Sequence, residues 1–212
     1  MLKIAWCTFE AAKFAVMNWH YSKCMPAGKL IKIGVWENDK FIGCVLFGSG
    51  ANNVLGKPYG LSQIECCELV RIALNKHQTP VSRIVSISIK MLLKLCPKLR
   101  LIISFADDEQ NHIGAIYQAG NWIYLGRSKA AEEYLVNGKR MHGRSMRALY
   151  STHVGKDFIK KIMGSSKYRY AMPLDDKMKS DLMKLSKPYP KRVKQATGET
   201  ITKAEVQHLP TR

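Results

Sequence analysis

The sequence predicts an α/β fold built on one mixed central sheet flanked by helices, with a basic C-terminal extension. Three observations carry this. Strand-like and helix-like segments alternate up to residue 127. Leu99 to Phe105 (LRLIISF) is a continuous apolar run of the kind found in strands buried on both faces. Two dipeptides, Asn38-Asp39 and Asn137-Gly138, separate β-rich runs where hairpin turns belong.

Each element follows in order. Leu2 to Cys7 predicts a first strand, and Thr8 caps a helix on which Phe14, Met17 and Tyr21 recur at helical spacing. Leu30 to Glu37 and Lys40 to Phe47 form an antiparallel pair. Residues 48–62, rich in glycine, proline and asparagine, are too long for a mere connector and make a candidate binding loop. Ile64 to Leu74 (IECCELVRIAL) is a further strand. Pro80 opens a helix that turns Val81, Ile84, Val85, Ser88, Leu92 and Leu95 toward the core, and Pro97 stops it. After the buried strand, Ala106 to Glu109 supplies an acidic N-cap for a short helix ending near Ala119-Gly120. Trp122 to Gly126 is a strand, and Glu132 to Arg140 a hairpin.

Beyond Met141 the pattern predicts a basic turn, an amphipathic helix near Lys156 to Met163, an aromatic-basic strand (KYRYAM) and a charged helix near Asp175 to Ser186. The expected organisation is a catalytic domain over 1–150, a basic extension packed on it over 151–187, and a flexible basic tail over 188–212.

Charge narrows the partners. Lys plus Arg number 34 against 16 Asp plus Glu, a net charge of +18, yet 46% of the 212 residues are hydrophobic. That composition excludes a disordered polycation. The asymmetry is marked: residues 1–138 carry a net +6 and residues 139–212 a net +12. A basic surface of this size attracts polyanions, nucleic acid first and anionic membrane second. The start of the chain lacks the pattern of a secretory signal, and Phe41 to Phe47, the longest near-apolar stretch, is far shorter than a membrane-spanning helix. Six scattered cysteines show no metal-ligand spacing and read as reduced thiols.

The order of elements, with a Glu-x-x-Arg strand before a helix and a strand–helix–strand unit, resembles the GNAT (Gcn5-related N-acetyltransferase) fold. More specific residues are Trp19-His-Tyr-Ser, Glu68-Leu-Val-Arg71, Ser104-Phe-Ala-Asp107, His112-Ile-Gly, Tyr117-Gln-Ala, Asn121-Trp-Ile-Tyr-Leu-Gly126, Glu133-Tyr-Leu and Gly138-Lys-Arg-Met-His142. Together, over about residues 15–175, they resemble the Mom family of bacteriophage DNA-modification proteins. The resemblance implies conversion of adenine in DNA to N6-carbamoylmethyladenine, which shields phage DNA from host restriction. It also implies double-stranded DNA as partner and the host cytoplasm as location, and it leaves a homodimer open. One departure matters. GNAT enzymes hold acyl-CoA pyrophosphate on a glycine-rich loop before the helix, whereas here the stretch is Asn75-Lys-His-Gln-Thr-Pro-Val-Ser-Arg83, without glycine.

The adenine amine is a poor nucleophile, so it must be positioned, deprotonated and offered an activated electrophile. The catalytic candidates are Ser104, Asp107, His20, Tyr21, Glu68 and Tyr117. Ser104 and Asp107 stand where the buried strand ends, the edge at which α/β sheets hold ligands, with Ser104 as donor or relay and Asp107 alternatively a helix cap. Tyr21, Tyr117, Trp122 and Tyr124 are candidates to stack a flipped base, each with core packing as the alternative. Arg71, Lys76, Ser82, Arg83 and His112 are assigned to the cofactor. Three residues being an odd offset, Glu68 and Arg71 are expected on opposite faces of their strand. Lys139, Arg140, His142, Arg144, Arg147, Lys167 and Arg169, with Lys160, Lys161, Tyr150, Tyr168 and Tyr170 among them, are the expected DNA surface. The spacing of His20, Asp107, His112 and His142 does not support a metal such as iron.

The group donor stays open between acyl-CoA and an activated glycyl group, for which aminoacyl-tRNA is a natural source. The carbamoylmethyl product is an isomer of a glycyl amide, which favours glycyl transfer followed by rearrangement. Two other classes remain: a non-catalytic nucleic-acid-binding protein on the same scaffold, and an acyl-CoA-dependent N-acyltransferase.

Overall fold

The computed structural model describes residues 1–50, 54–130, 132–136, 138–142 and 159–191. A seven-stranded sheet is assembled from β1 (Leu2–Trp6), β2 (Leu30–Glu37), β3 (Lys40–Gly48), β4 (Cys66–Leu74), β5 (Leu101–Asp107), β6 (Ile123–Arg127) and a later strand, β10 (Lys167–Pro173). Their order is β1-β2-β3-β4-β5-β10-β6. Only β4 and β5 run parallel; the other neighbours are antiparallel, so the sheet is mixed as expected. A second sheet, ordered β8-β7-β9, joins β7 (Glu132–Val136), β8 (Lys139–His142) and β9 (Ile159–Met163).

The β2–β3 hairpin turns on Asn38 and Asp39, with φ of 49° and 61°. Both are in the left-handed region that this two-residue turn demands, and Asn and Asp enter it more readily than other non-glycine residues. Gly43, on β3, could carry no side chain: a Cβ would lie 1.9 Å from the Ala73 carbonyl oxygen.

Helix α1 (Phe9–Trp19) begins at Thr8, whose hydroxyl accepts from the Ala11 amide at 3.2 Å. It buries the small residues Ala12, Ala15 and Val16 against β3 and β4, which brings its axis close to the sheet. Phe14 and Met17 are therefore not the packing face; they are 53% and 43% exposed. Helix α2 (Val81–Leu95) buries Ile84, Val85, Ser88, Ile89 and Leu92. Leu95 departs from the expected stripe, being in the last turn and 58% exposed. Ser88 satisfies its buried hydroxyl on the Ile84 carbonyl at 2.9 Å.

Three further expectations are corrected. The acidic segment after β5 does not open one helix. Asp107 is the last residue of β5 and caps a 3-10 turn over Asp108–Gln110, Asn111 and Gly114 then adopt φ of 54° and 83°, and α3 is only Ala115–Gln118. Two left-handed residues break any continuous helix there. In place of the expected helix near Lys156–Met163, the described part is β9, whose residues Ile159–Met163 pair with β7 because the exposed edge of a hairpin offers it unpaired backbone groups. The aromatic-basic strand β10, expected in an extension outside the first 150 residues, is inserted in the main sheet between β5 and β6. There Tyr170 and Ala171 are fully buried, so this strand completes the core.

Helix α4 (Asp176–Met183) follows directly. Asp175 caps it through the Met178 amide at 2.7 Å and accepts both Arg100 Nε (2.7 Å) and Nη2 (3.1 Å). This bidentate pair ties α4 to the entry of β5. Residues 188–191, assigned by sequence to a flexible tail, are docked: Tyr189 donates its hydroxyl to the Trp122 carbonyl at 2.8 Å, and the Pro190 carbonyl accepts from Gln118 Nε2 at 3.4 Å. Among the described residues no helix is long and apolar enough to cross a membrane.

Candidate active site

β4 and β5 pair only over Cys66–Glu68 and Leu101–Ile103, and there the ladder stops. The fork is held by Ser104, which is fully buried. Its single hydroxyl hydrogen goes to the Leu69 carbonyl at 2.8 Å, so the Tyr117 hydroxyl, 2.7 Å away, is the donor to Ser104 Oγ. Burial of Tyr117 pushes its phenol up to about 12. Ser104 consequently does not face ligand; it positions Tyr117, which lines a cavity of about 860 Å³ at the fork.

That cavity gathers most of the catalytic and cofactor candidates: His20, Tyr21, Glu68, Arg71, Asp107, His112 and Tyr117. Glu68 and Arg71 share it in spite of their odd offset. In the β3–β4 ladder Leu46 faces Arg71 and the next residue, Phe47, faces Leu69, so Val70 is an extra residue on β4. The bulge cancels the alternation of faces. Arg71 donates from Nη1 to the Val70 carbonyl at 2.7 Å, and its buried Nε has no partner.

His20 follows the last residue of α1. The Ser22 amide donates to its Nδ1 at 3.1 Å, and the Ser22 hydroxyl lies 2.8 Å from the same nitrogen. Burial first, then the neighbouring Arg71 and His112, lower His20 to about 4. Tyr21 lies against the His20 ring at 4.3 Å between centroids and meets His112 edge-on at 5.3 Å. Its phenol is pushed up by burial and by Asp107. Of the four aromatic residues considered for base stacking, only Tyr21, 45% exposed, is open to a ligand. Trp122 and Tyr124 are core residues, and Tyr117 packs on Trp122 and Tyr170, both at 5.1 Å. Asp107 does double duty, accepting the Glu109 amide at 3.2 Å and Lys167 Nζ at 3.2 Å.

Lys76, Ser82 and Arg83 are not among the cavity's lining residues. They flank the turn before α2, where the Glu37 carboxylate accepts the amides of Gln78 (2.8 Å) and Thr79 (2.7 Å). Together with the Thr79 hydroxyl, these donors hold Glu37 down to about 2. An anion of the protein's own already occupies the amides that a pyrophosphate would use, and no glycine widens the turn. The residues here do not fit acyl-CoA held at this turn.

Among the expected DNA contacts, Lys167 stands at the cavity and Arg169 is half-buried with its Nε enclosed and no partner for it. Lys139, Arg140 and His142 belong to β8 of the second sheet. Arg144, Arg147 and Tyr150 lie outside the described residues. Lys160 is exposed, and Lys161 pairs with Glu132. Sequence reasoning missed Asn111, Ser128, Lys129, Glu133 and Ser165, which also line the cavity. Proximity to turns was the local signal for the other four, and Glu133 stood out only as part of the family motif Glu133-Tyr-Leu; β7 of the second sheet brings it to the cavity. Arg127 was missed as well. Its guanidinium lies over the Tyr168 ring at 4.6 Å and pairs with Asp108. Among the described residues, no group of three or more His, Cys, Asp or Glu is arranged to hold a metal ion.

The chain is 26% identical over 142 residues to the methylcarbamoylase mom of Escherichia phage Mu, a match spanning 65% of this chain and 58% of that relative's length. The fold is similar to that of an acetyltransferase of Bacillus subtilis solved in complex with CoA, at 13% identity and a TM-score of 0.46, covering 82% of this chain and 97% of the other. It is also similar to a GNAT family acetyltransferase of Elizabethkingia anophelis with acetyl-CoA bound, at 11% identity and a TM-score of 0.38, covering 82% and 98% of the two chains. The family model of the Mom proteins matches residues 1–191, nine-tenths of the sequence and the whole of the fork, and the chain belongs to the Mom protein family.

Proposed function

We propose that this chain is a DNA-modifying transferase that converts adenine to N6-carbamoylmethyladenine, in the host cytoplasm, and so protects phage DNA from restriction. The observation that carries the reading is the cavity at the β4–β5 fork, which collects His20, Tyr21, Glu68, Arg71, Asp107, His112 and Tyr117 in a member of the Mom family.

The exocyclic amine of adenine is engaged in pairing within a duplex, so the base leaves the stack to react. Tyr21 offers it an exposed aromatic face at the cavity. Glu68 and His112 are the groups we assign to take the amine's proton, because Asp107 is already committed to Lys167. The donor we favour is an activated glycyl ester such as aminoacyl-tRNA. The occupied turn at Glu37 disfavours acyl-CoA, and the basic surface suits a second nucleic acid.

The chemistry balances without an oxidant. Adenine N6 attacks the ester carbonyl, the C–O bond breaks, and an alcohol leaves with the amine's proton. The glycyl amine then attacks C6 of the ring, the original C6–N6 bond breaks, and N6 becomes the carboxamide nitrogen. The test is mass spectrometry of nucleosides from plasmid DNA of bacteria expressing the protein and fed 15N-glycine. A carbamoylmethyl gain on deoxyadenosine with the label on the ring-attached nitrogen supports both steps, and Glu68→Gln should abolish it. An acetyl gain, or unmodified adenine in every strain, overturns the reading.

A further inference from the structure

We infer that His20 works as a fixed neutral hydrogen-bond donor, presenting Nε2–H to the carbonyl oxygen under attack, and not as a general base. This inference rests on the acyl-transfer reading above, and it assigns within that site a role that residue identity leaves undetermined.

The geometry decides the tautomer. An imidazole has two nitrogens, and in the neutral ring one carries the hydrogen while the other offers a lone pair. The backbone N–H of Ser22 is aimed at Nδ1 at 3.1 Å, and a backbone N–H can only donate. Nδ1 is therefore the lone-pair nitrogen, and the Ser22 hydroxyl, 2.8 Å from Nδ1 against 3.5 Å from the Cys24 carbonyl, gives its hydrogen to the nearer acceptor. The hydrogen is on Nε2. Two donors separated from His20 by one residue hold the ring in this state whatever lies in the cavity.

Protonation would place a second hydrogen on Nδ1, against the Ser22 amide. The surroundings oppose it too: Arg71 from β4 and His112 from the loop before α3 both disfavour a positive ring. The carboxylates Glu68, Asp107 and Glu133 line the same cavity, but Asp107 is bound to Lys167 at 3.2 Å. Burial first, then Arg71 and His112, bring His20 to about 4, so the ring is neutral across the physiological range. A ring whose only lone pair is taken cannot accept a proton from adenine. It can stabilise charge. When N6 adds to the ester carbonyl, the π electrons move to oxygen, and a pre-aimed N–H lowers the energy of that oxyanion without reorganising.

The test has two arms. Long-range 1H–15N correlation of the histidine rings in the uniformly 15N-labelled full chain, with His20 assigned by the signals lost in His20→Gln, reads the tautomer directly. An Nε2–H tautomer that persists from about pH 7 to about pH 5 is expected, whereas an Nδ1–H ring or a titration near the ordinary histidine value of about 6.5 overturns the inference. The second arm compares variants in the plasmid assay. Gln keeps an N–H donor and Ala does not, so His20→Ala should lower the modification rate by roughly 100-fold or more and His20→Gln by about tenfold or less. Equal losses for Gln and Ala overturn the donor role. The first arm needs no turnover, so a wild-type chain that leaves adenine unmodified sinks the reaction reading, while the tautomer assignment is judged on its own.

Discussion

Ser104 of β5 and Tyr117 of α3, both buried, are joined by a 2.7 Å hydrogen bond beside the fork between β4 and β5. A residue that the sequence marks as a catalytic hydroxyl is thus a brace. It accepts from a tyrosine of α3 and donates to the Leu69 carbonyl where the strand ladder ends.

Ser104→Ala should therefore act mainly on stability. It strands the Leu69 carbonyl and the Tyr117 hydroxyl without partners, a cost of about 1–3 kcal/mol. For a chain of this size that lowers Tm by about 2–12 °C. Thermal denaturation followed by circular dichroism checks it, and an unchanged Tm would return Ser104 to the list of reacting groups.

Gly114→Ala should be harsher. Gly114 has φ of 83°, and an added Cβ would stand 2.2 Å from Cε2 of Tyr170, a fully buried ring whose hydroxyl donates to the Ile113 carbonyl. The left-handed backbone and the overlap together cost about 2–5 kcal/mol. Urea denaturation measures the loss. Because residues 111–117 wall the cavity, activity should fall with it.

Acid should destabilise the protein in two windows. His20 is neutral in the fold down to about 4, against an ordinary value of 6.5, so the unfolded chain binds a proton the folded one refuses, and stability falls between those values. Glu37 is held at about 2, below its ordinary 4.5, so its contribution is complete above 4.5 and is lost as pH falls toward 2. His20→Gln should flatten the upper window and Glu37→Gln the lower one. Tm measured against pH on both variants decides it, and identical profiles would contradict both assignments.

Duplex binding should depend on the cations at the cavity and on the second sheet. Lys129 and Lys167 line the cavity and Lys160 is exposed on β9. Replacing all three by alanine should weaken binding uniformly across sequences. The slope of log affinity against log salt should become shallower by as much as about 3, near one unit for each phosphate contact removed. An unaltered slope in fluorescence anisotropy titrations would move the DNA surface elsewhere.

Much of the fold was legible because it is encoded locally. The Asn38-Asp39 turn, the period of α2 after Pro80 and the apolar β5 run each depend on neighbours a few residues apart, and each is observed where the sequence places it. The candidate site was legible as a set of residues, with His20, Tyr21, Glu68, Arg71, Asp107, His112 and Tyr117 all at one cavity. Their roles were not. A bulge at Val70 puts Glu68 and Arg71 together, and an extra residue in a ladder is invisible to a rule of alternating faces. The stripe Phe14, Met17 and Tyr21 misled because three small residues, Ala12, Ala15 and Val16, pack closer to the sheet than large ones can.

By itself the sequence determined most of the secondary elements, though not β9 or the broken segment after β5, together with the mixed α/β class and the pool of chemical groups, since propensity, capping and periodicity act over one or two turns of chain. Only the tertiary structure decided that β10 enters the sheet between β5 and β6, that Ser104 braces Tyr117, that Ser22 dictates the tautomer of His20 within its cavity, and that Glu37 occupies the turn before α2. Apart from the Ser22 contact, these depend on pairings between segments 13 to 72 residues apart, whose partners are selected by burial and hydrogen-bond satisfaction over the whole fold.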